Sequence, residues 1–105
     1  MQRIALADKF FNLVKEGKKV STVRYKKRDY KLGKFEFYSD TSDMTIQGAI
    51  IDVTYMKVFD LDDVHAVLDG FEDRDELINA LLEFYPDMHG DDDVTIVSFD
   101  CTNCK

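Results

Sequence analysis

The chain has 105 residues, 45% of them apolar and 12% aromatic, which fits one globular domain and not a disordered polymer. No apolar run approaches the ~18 residues of a membrane span, and one Pro with five Gly leaves little room for a flexible linker. The net charge of −7 argues against non-specific nucleic-acid binding by the whole surface.

Met1-Gln2-Arg3-Ile4 has neither the apolar stretch nor the small-residue cleavage site of a secretory leader, so a cytoplasmic location is expected. Ala7 to Glu16 reads as a helix. Phe10, Leu13 and Val14 recur at i, i+3, i+4, Asp8 suits the positive dipole end, and Gly17 suits the C′ position. Val20 to Tyr25 is rich in β-branched and hydroxyl residues and predicts a strand. A charged connection, Lys26 to Asp29, leads through Gly33 to Lys34–Tyr38, whose period-2 alternation predicts a second strand. Ser39 to Met44 is a polar loop.

Thr45 to Phe59 is too long for one ordinary strand and predicts a bend or a bulge near Gly48 or Asp52. Asp60 to Gly70 predicts a short helix. Asp73 with Glu76 has capping-box spacing, and Leu77, Ala80, Leu81 and Phe84 continue an amphipathic helix to Tyr85, where Pro86 stops it. Val94 to Phe99 is a last strand, buried on at least one face. Residues 1–100 form a single domain in this reading, with 101–105 as a C-terminal tail. The order helix, strands, helix pair, strand suits an α+β fold, a small β-barrel with two to three helices packed against it.

The charge is uneven. Residues 15–34 hold nine of the fourteen basic residues and two acids, and the remainder is strongly acidic. A basic segment on an acidic body suits capture of a small anion or a short nucleic-acid segment, and equally a solvated hairpin. Its densest part is Lys15-Glu16-Gly17-Lys18-Lys19-Val20-Ser21-Thr22-Val23-Arg24-Tyr25. Thr22 and Arg24 share a strand face. Lys19, three residues before Thr22, would face away unless it lies in the turn after Gly17. Tyr25 and Tyr38 are candidates for base stacking, and Phe35 and Phe37 for the core. Cys101-x-x-Cys104 is half a zinc site at best, and cytosolic thiols would stay reduced. No metal site and no cofactor is assigned.

The ordered set of motifs resembles the ASCH domain family, small β-barrels related to the PUA fold. The resemblance rests on Gly17-Lys18-Lys19-x-x-Thr22-x-Arg24, Tyr30-x-x-Gly33, Phe59-x-Leu61 leading to Asp63 and Ala66, Asp69-Gly70-Phe71, Glu76-Leu77 and Tyr85-Pro86. It implies a domain that binds RNA or a modified nucleoside. In a small bacterial branch it implies an amidohydrolase that converts N4-acetylcytidine to cytidine and acetate. By motif position that branch's catalytic Lys, Thr and carboxylate fall on Lys19, Thr22 and Asp69. The family usually has Glu where this chain has Asp69, and often Thr where it has Val20. A reach error of about 1 Å can cost on the order of 100-fold in rate.

Amide hydrolysis needs a nucleophile, a base and donors for the developing oxyanion. Thr22 supplies the hydroxyl, Lys19 becomes a base if burial or neighbouring cations lower its pKa, and Asp69 orients it or passes a proton. Lys18, Arg24, Tyr25, Lys26 and Arg28 are the expected substrate or RNA contacts. The expected partner is RNA or a small nucleoside, with no membrane, and the expected state is a monomer. The alternatives are a non-catalytic RNA-binding module using the basic 18–34 segment and a protein-interaction domain.

Overall fold

The computed structural model describes residues 1–101. The elements in chain order are β1 (Gln2–Ala5), α1 (Asp8–Lys15), β2 (Ser21–Tyr25), β3 (Gly33–Tyr38), β4 (Thr45–Lys57), a 3-10 turn (Val58–Asp60), α2 (Asp63–Leu68), α3 (Arg74–Phe84) and β5 (Asp93–Cys101). The five strands form one curled sheet in the order β1-β3-β4-β5-β2. The predicted small barrel is thus a half-barrel with three α-helices, and its edge strands β1 and β2 do not pair with each other. Strand β1 runs parallel to β3, and every other pairing is antiparallel.

β1 has no counterpart in the sequence reading. Its four residues, Gln-Arg-Ile-Ala, are too short and too polar to show a period, and pairing with β3 is what makes them a strand. The long run from Thr45 is one strand after all, and it carries an irregularity close to Asp52. The β4–β5 register shifts between Ile50 and Asp52, and the run ends at Lys57 in the 3-10 turn. Helix α2 begins later than the acids at 60–63 suggest. Asp62 is its N-cap: the His65 amide donates to Asp62 Oδ1, and His65 Nδ1 accepts from the Asp62 amide, each at 3.1 Å. The reciprocal capping box therefore sits on α2. At α3 only one half is made, with the Glu76 amide donating to Asp73 at 2.9 Å.

Two apolar clusters flank β5. Phe11 and Val14 of α1 pack with Phe35, Phe37, Ile46, Ile50, Val97 and Phe99. Phe35 and Phe37 share one face, as period 2 predicts, and meet Phe99 edge-on at 5.7 and 5.0 Å between ring centres. On the other side of β5, Val94 and Ile96 pack with Val23, Ala66, Leu77 and Leu81, which docks α2 and α3 against β2. β5 is thus buried on both faces. Among the described residues no helix is long and apolar enough to cross a membrane. Cys101 ends β5, and the expectation for the Cys101-x-x-Cys104 pair depends on both cysteines. Cys104 lies outside the described residues.

Candidate functional site

The site is assembled by the way α1 ends. The Gly17 amide donates to Val14 O at 3.1 Å and the Lys18 amide to Leu13 O at 2.9 Å, the paired bonds of a Schellman stop with Gly17 at φ +75°. The Lys19 amide also bonds Leu13 O, at 3.1 Å. The chain is thereby folded back over the helix end, and Lys19 lies before β2, which starts at Ser21. The condition for Lys19 and Thr22 to converge despite their spacing is met. Val20 then ties in two further elements. Its amide donates to Leu68 O at 2.8 Å, and its carbonyl accepts from the Phe99 amide at 3.2 Å.

The bond to Leu68 holds the end of α2 against the 19–20 segment, and so delivers the next residue, Asp69. Asp69 Oδ1 is paired with Lys19 Nζ. Asp69 Oδ2 accepts from the Val23 amide at 3.2 Å, a donor on the open edge of β2. The shorter carboxylate therefore reaches the lysine, because backbone docking supplies the distance. Gly70 follows at φ +90°, and a Cβ there would stand 3.2 Å from Leu13 Cδ1 and 3.4 Å from Lys19 Cβ. Glycine is needed here for the left-handed conformation, and a side chain would also press on Leu13.

Lys19, Thr22 and Asp69 are 4%, 2% and 3% exposed. All three, with Arg24, line one cavity of about 390 Å³, within the range of small-molecule sites. It opens in the seam between Ala5 of β1 and Thr22 to Arg24 of β2, where the half-barrel fails to close. One wall is apolar: Phe10 and Phe71 meet edge-to-face at 5.8 Å, beside Leu77, Leu81 and Phe84 of α3. The Lys19 ammonium position lies 5.6 Å from the Phe10 ring centre. Arg24 Nε donates to Thr22 Oγ1 at 3.1 Å, and Arg24 makes no ion pair among the described residues.

Burial drives the Lys19 amine well below the ordinary lysine value, and the Arg24 guanidinium pushes the same way. The Asp69 carboxylate opposes both. The low direction is favoured because so little of the amine reaches water, and an ion pair in a dry site recovers only part of the lost hydration. Burial also lowers Arg24, partly offset by the nearby Tyr30 and Tyr85. As a guanidinium it stays protonated.

The other expected contact residues stand outside this cavity. Lys18 is exposed and pairs with Glu16 at 3.8 Å. Tyr25 donates its hydroxyl to Asp92 at 2.7 Å and stacks at a tilt on Tyr85, ring centres 5.1 Å apart. The Lys26 ammonium lies over the Tyr25 ring, and Arg28 Nε donates to Tyr25 O at 2.9 Å. These residues border the cavity only through Tyr85, which lines it. Tyr38 is engaged by Arg3, which sits over its ring at 4.2 Å.

Sequence reasoning missed Phe10 and Phe71 as cavity walls, and it missed Asp8, Ser39, Asp40 and Thr41 at the mouth. Asp8 reads as a helix-dipole residue and 39–44 as a polar loop. Nothing local places the two together, since 31 residues separate Asp8 from Ser39. Among the described residues no group of three His, Cys, Asp or Glu side chains is placed to hold a metal ion.

The ASCH domain family model matches residues 1–103. The ASCH domain from Lactobacillus crispatus JV V101 superposes with a TM-score of 0.74 at 12% identity, over 95% of this chain and 79% of that one. A protein from Enterococcus faecalis V583 gives 0.74 at 14% identity, over 97% and 76%. An S128A mutant of the Zymomonas mobilis protein ZmASCH gives 0.67 at 14%, over 93% and 66%. No curated protein matches in sequence.

Proposed function

This chain belongs to the ASCH domain family, and from that premise we propose that its cavity binds an N4-acylated cytidine and hydrolyses the exocyclic amide. The observation that carries the reading is the buried Lys19 amine, held low by burial and paired with Asp69, facing the same cavity as the Thr22 hydroxyl. Burial brings the neutral amine within easier reach, and in that form the lysine can take a proton.

In the reaction Lys19 accepts the Thr22 hydroxyl proton as Oγ1 attacks the acyl carbon. Arg24 already donates to that oxygen, which favours the alkoxide, and its remaining N–H groups are donors for the carbonyl oxygen as it gains charge. Collapse breaks the C–N4 bond, and the proton held by Lys19 passes to the leaving amine. Water then cleaves the acyl-threonine ester, again with Lys19 as base. The sum is amide plus water giving cytidine and a carboxylic acid. Asp69 holds the lysine through one oxygen while its other oxygen is anchored on the Val23 amide.

The assay is incubation with N4-acetylcytidine and chromatography of released cytidine. Turnover that Lys19→Ala abolishes is the expected result. Turnover absent from the native protein, or unchanged in Lys19→Ala, refutes the hydrolase. RNA binding is a second reading. It is supported by the exposure of Lys26, Lys27 and Arg28 next to Tyr25 and Tyr85 at the cavity border.

A further inference from the structure

We infer that the carboxylates of Asp8 and Asp40 make the cavity mouth selective for an uncharged nucleoside over its phosphorylated forms. The inference rests on the nucleoside reading above and specifies which form of ligand the same cavity takes. Its basis is where the charges lie along the depth of the cavity. Three carboxylates line it, Asp8, Asp40 and Asp69, against two cations, Lys19 and Arg24. Lys19 and Asp69 are paired at the buried end. Arg24 is committed to Thr22. Asp8 and Asp40 are both exposed and carry the charge of the mouth.

That acidic rim is held in place. Asp8 accepts from the Ser39 hydroxyl, and from Thr41 Oγ1 at 3.1 Å. Ser39 Oγ in turn accepts from the Thr41 and Ser42 amides at 3.0 and 2.9 Å. The loop after β3 is thereby pinned to the first turn of α1. Asp40 sits inside the pinned loop and forms no hydrogen bond or ion pair among the described residues. The basic segment does not offset the rim. Of its nine Lys and Arg, only Lys19 and Arg24 line the cavity.

The reacting amide must sit at the buried end beside Thr22, which leaves the sugar at the mouth. Sugar hydroxyls can donate to a carboxylate, whereas a phosphate dianion cannot and is repelled. Two unit charges about 8 Å apart in water change affinity by roughly twofold, so one carboxylate disfavours a dianionic phosphate by about fivefold at low salt.

The test compares N4-acetylcytidine with its 5′-monophosphate in native protein, Asp40→Asn and Asp40→Lys, at about 10 mM and about 300 mM salt. Turnover is followed by product release and binding by calorimetry. The nucleoside should be preferred at low salt. The preference should fall about fivefold in Asp40→Asn, be lost in Asp40→Lys, where the new cation offsets the remaining Asp8, and shrink at high salt. Equal or better use of the monophosphate by native protein overturns the rim inference and leaves the hydrolase reading standing, as does a preference that Asp40→Lys leaves unchanged. If neither ligand binds or reacts, both readings fail.

Discussion

Replacing Lys19 by Met tests whether the pair at the base of the cavity is a buried ion pair. The substitution keeps an unbranched apolar stem and removes the ammonium. Asp69, only 3% exposed, then retains the Val23 amide on Oδ2 and loses the cation on Oδ1. It can stay charged, at a desolvation cost of several kcal/mol. Alternatively it takes a proton, which for a carboxyl of ordinary pKa costs about 4 kcal/mol at pH 7, from roughly 3 units at 1.36 kcal/mol each. The cheaper route sets the loss, so the variant should be about 3–4 kcal/mol less stable than the native protein at pH 7. Set against a domain stability of roughly 5–15 kcal/mol, it should still fold.

The sign of the pH dependence follows. In Lys19→Met the folded-state pKa of Asp69 is raised above its unfolded value. The folded state then binds the extra proton, and stability is recovered as pH falls through that raised pKa. The deficit relative to native protein should therefore shrink between pH 7 and pH 5. The double variant Lys19→Met/Asp69→Leu removes both charges and should lie within about 1–2 kcal/mol of native, or above it. Urea unfolding followed by circular dichroism at the two pH values measures all three proteins. A Lys19→Met variant within about 1 kcal/mol of native at pH 7, with no change in that gap at pH 5, would refute the buried pair.

Two further outcomes follow from the same geometry. The rate of N4-acetylcytidine hydrolysis should rise with pH through the lowered pKa of Lys19, because only the neutral amine is a base. Asp69→Asn should move that rise to lower pH, since the carboxylate favours the ammonium form, and a pH–rate profile in which the rise stays put assigns the ionisation to another group. Gly70→Ala should cost about 1–2 kcal/mol for a left-handed non-glycine residue, and should also lower turnover by shifting the backbone that carries Asp69 away from the tight contact with Leu13, as thermal unfolding and the cytidine assay would show. A stable, fully active Gly70→Ala protein would mean that the segment relaxes freely.

Much of the fold was legible because its signals are local. The helix at Asp8–Lys15, its glycine stop, the Asp73 cap and the strand alternation around Phe35 and Phe37 all rest on neighbours within a few residues. Strand β1 was not legible, because four residues of mixed character become a strand only by pairing with residues about thirty positions away. The α2 capping box was missed for a different reason. His65 is an uncommon partner for Asp62, and the run of acids at 60–63 offered several equivalent caps.

The candidate site divides in the same way. The spacing of Lys19, Thr22 and Arg24 after Gly17, and a carboxylate at Asp69, are present in the sequence and point to these residues together with the family resemblance. By itself the sequence also determines the acidic body and the basic 15–34 segment. Only the tertiary structure decided that most of that basic segment stays out of the cavity, and that Asp8 and Asp40 form its mouth. Only it decided that Asp69 reaches Lys19 across 50 residues of chain. Local spacing fixes which way a side chain points along its own helix or strand. Which distant groups share a low-dielectric cavity depends on how an open sheet curls and where its edges fail to meet, and that is set by packing over the whole chain.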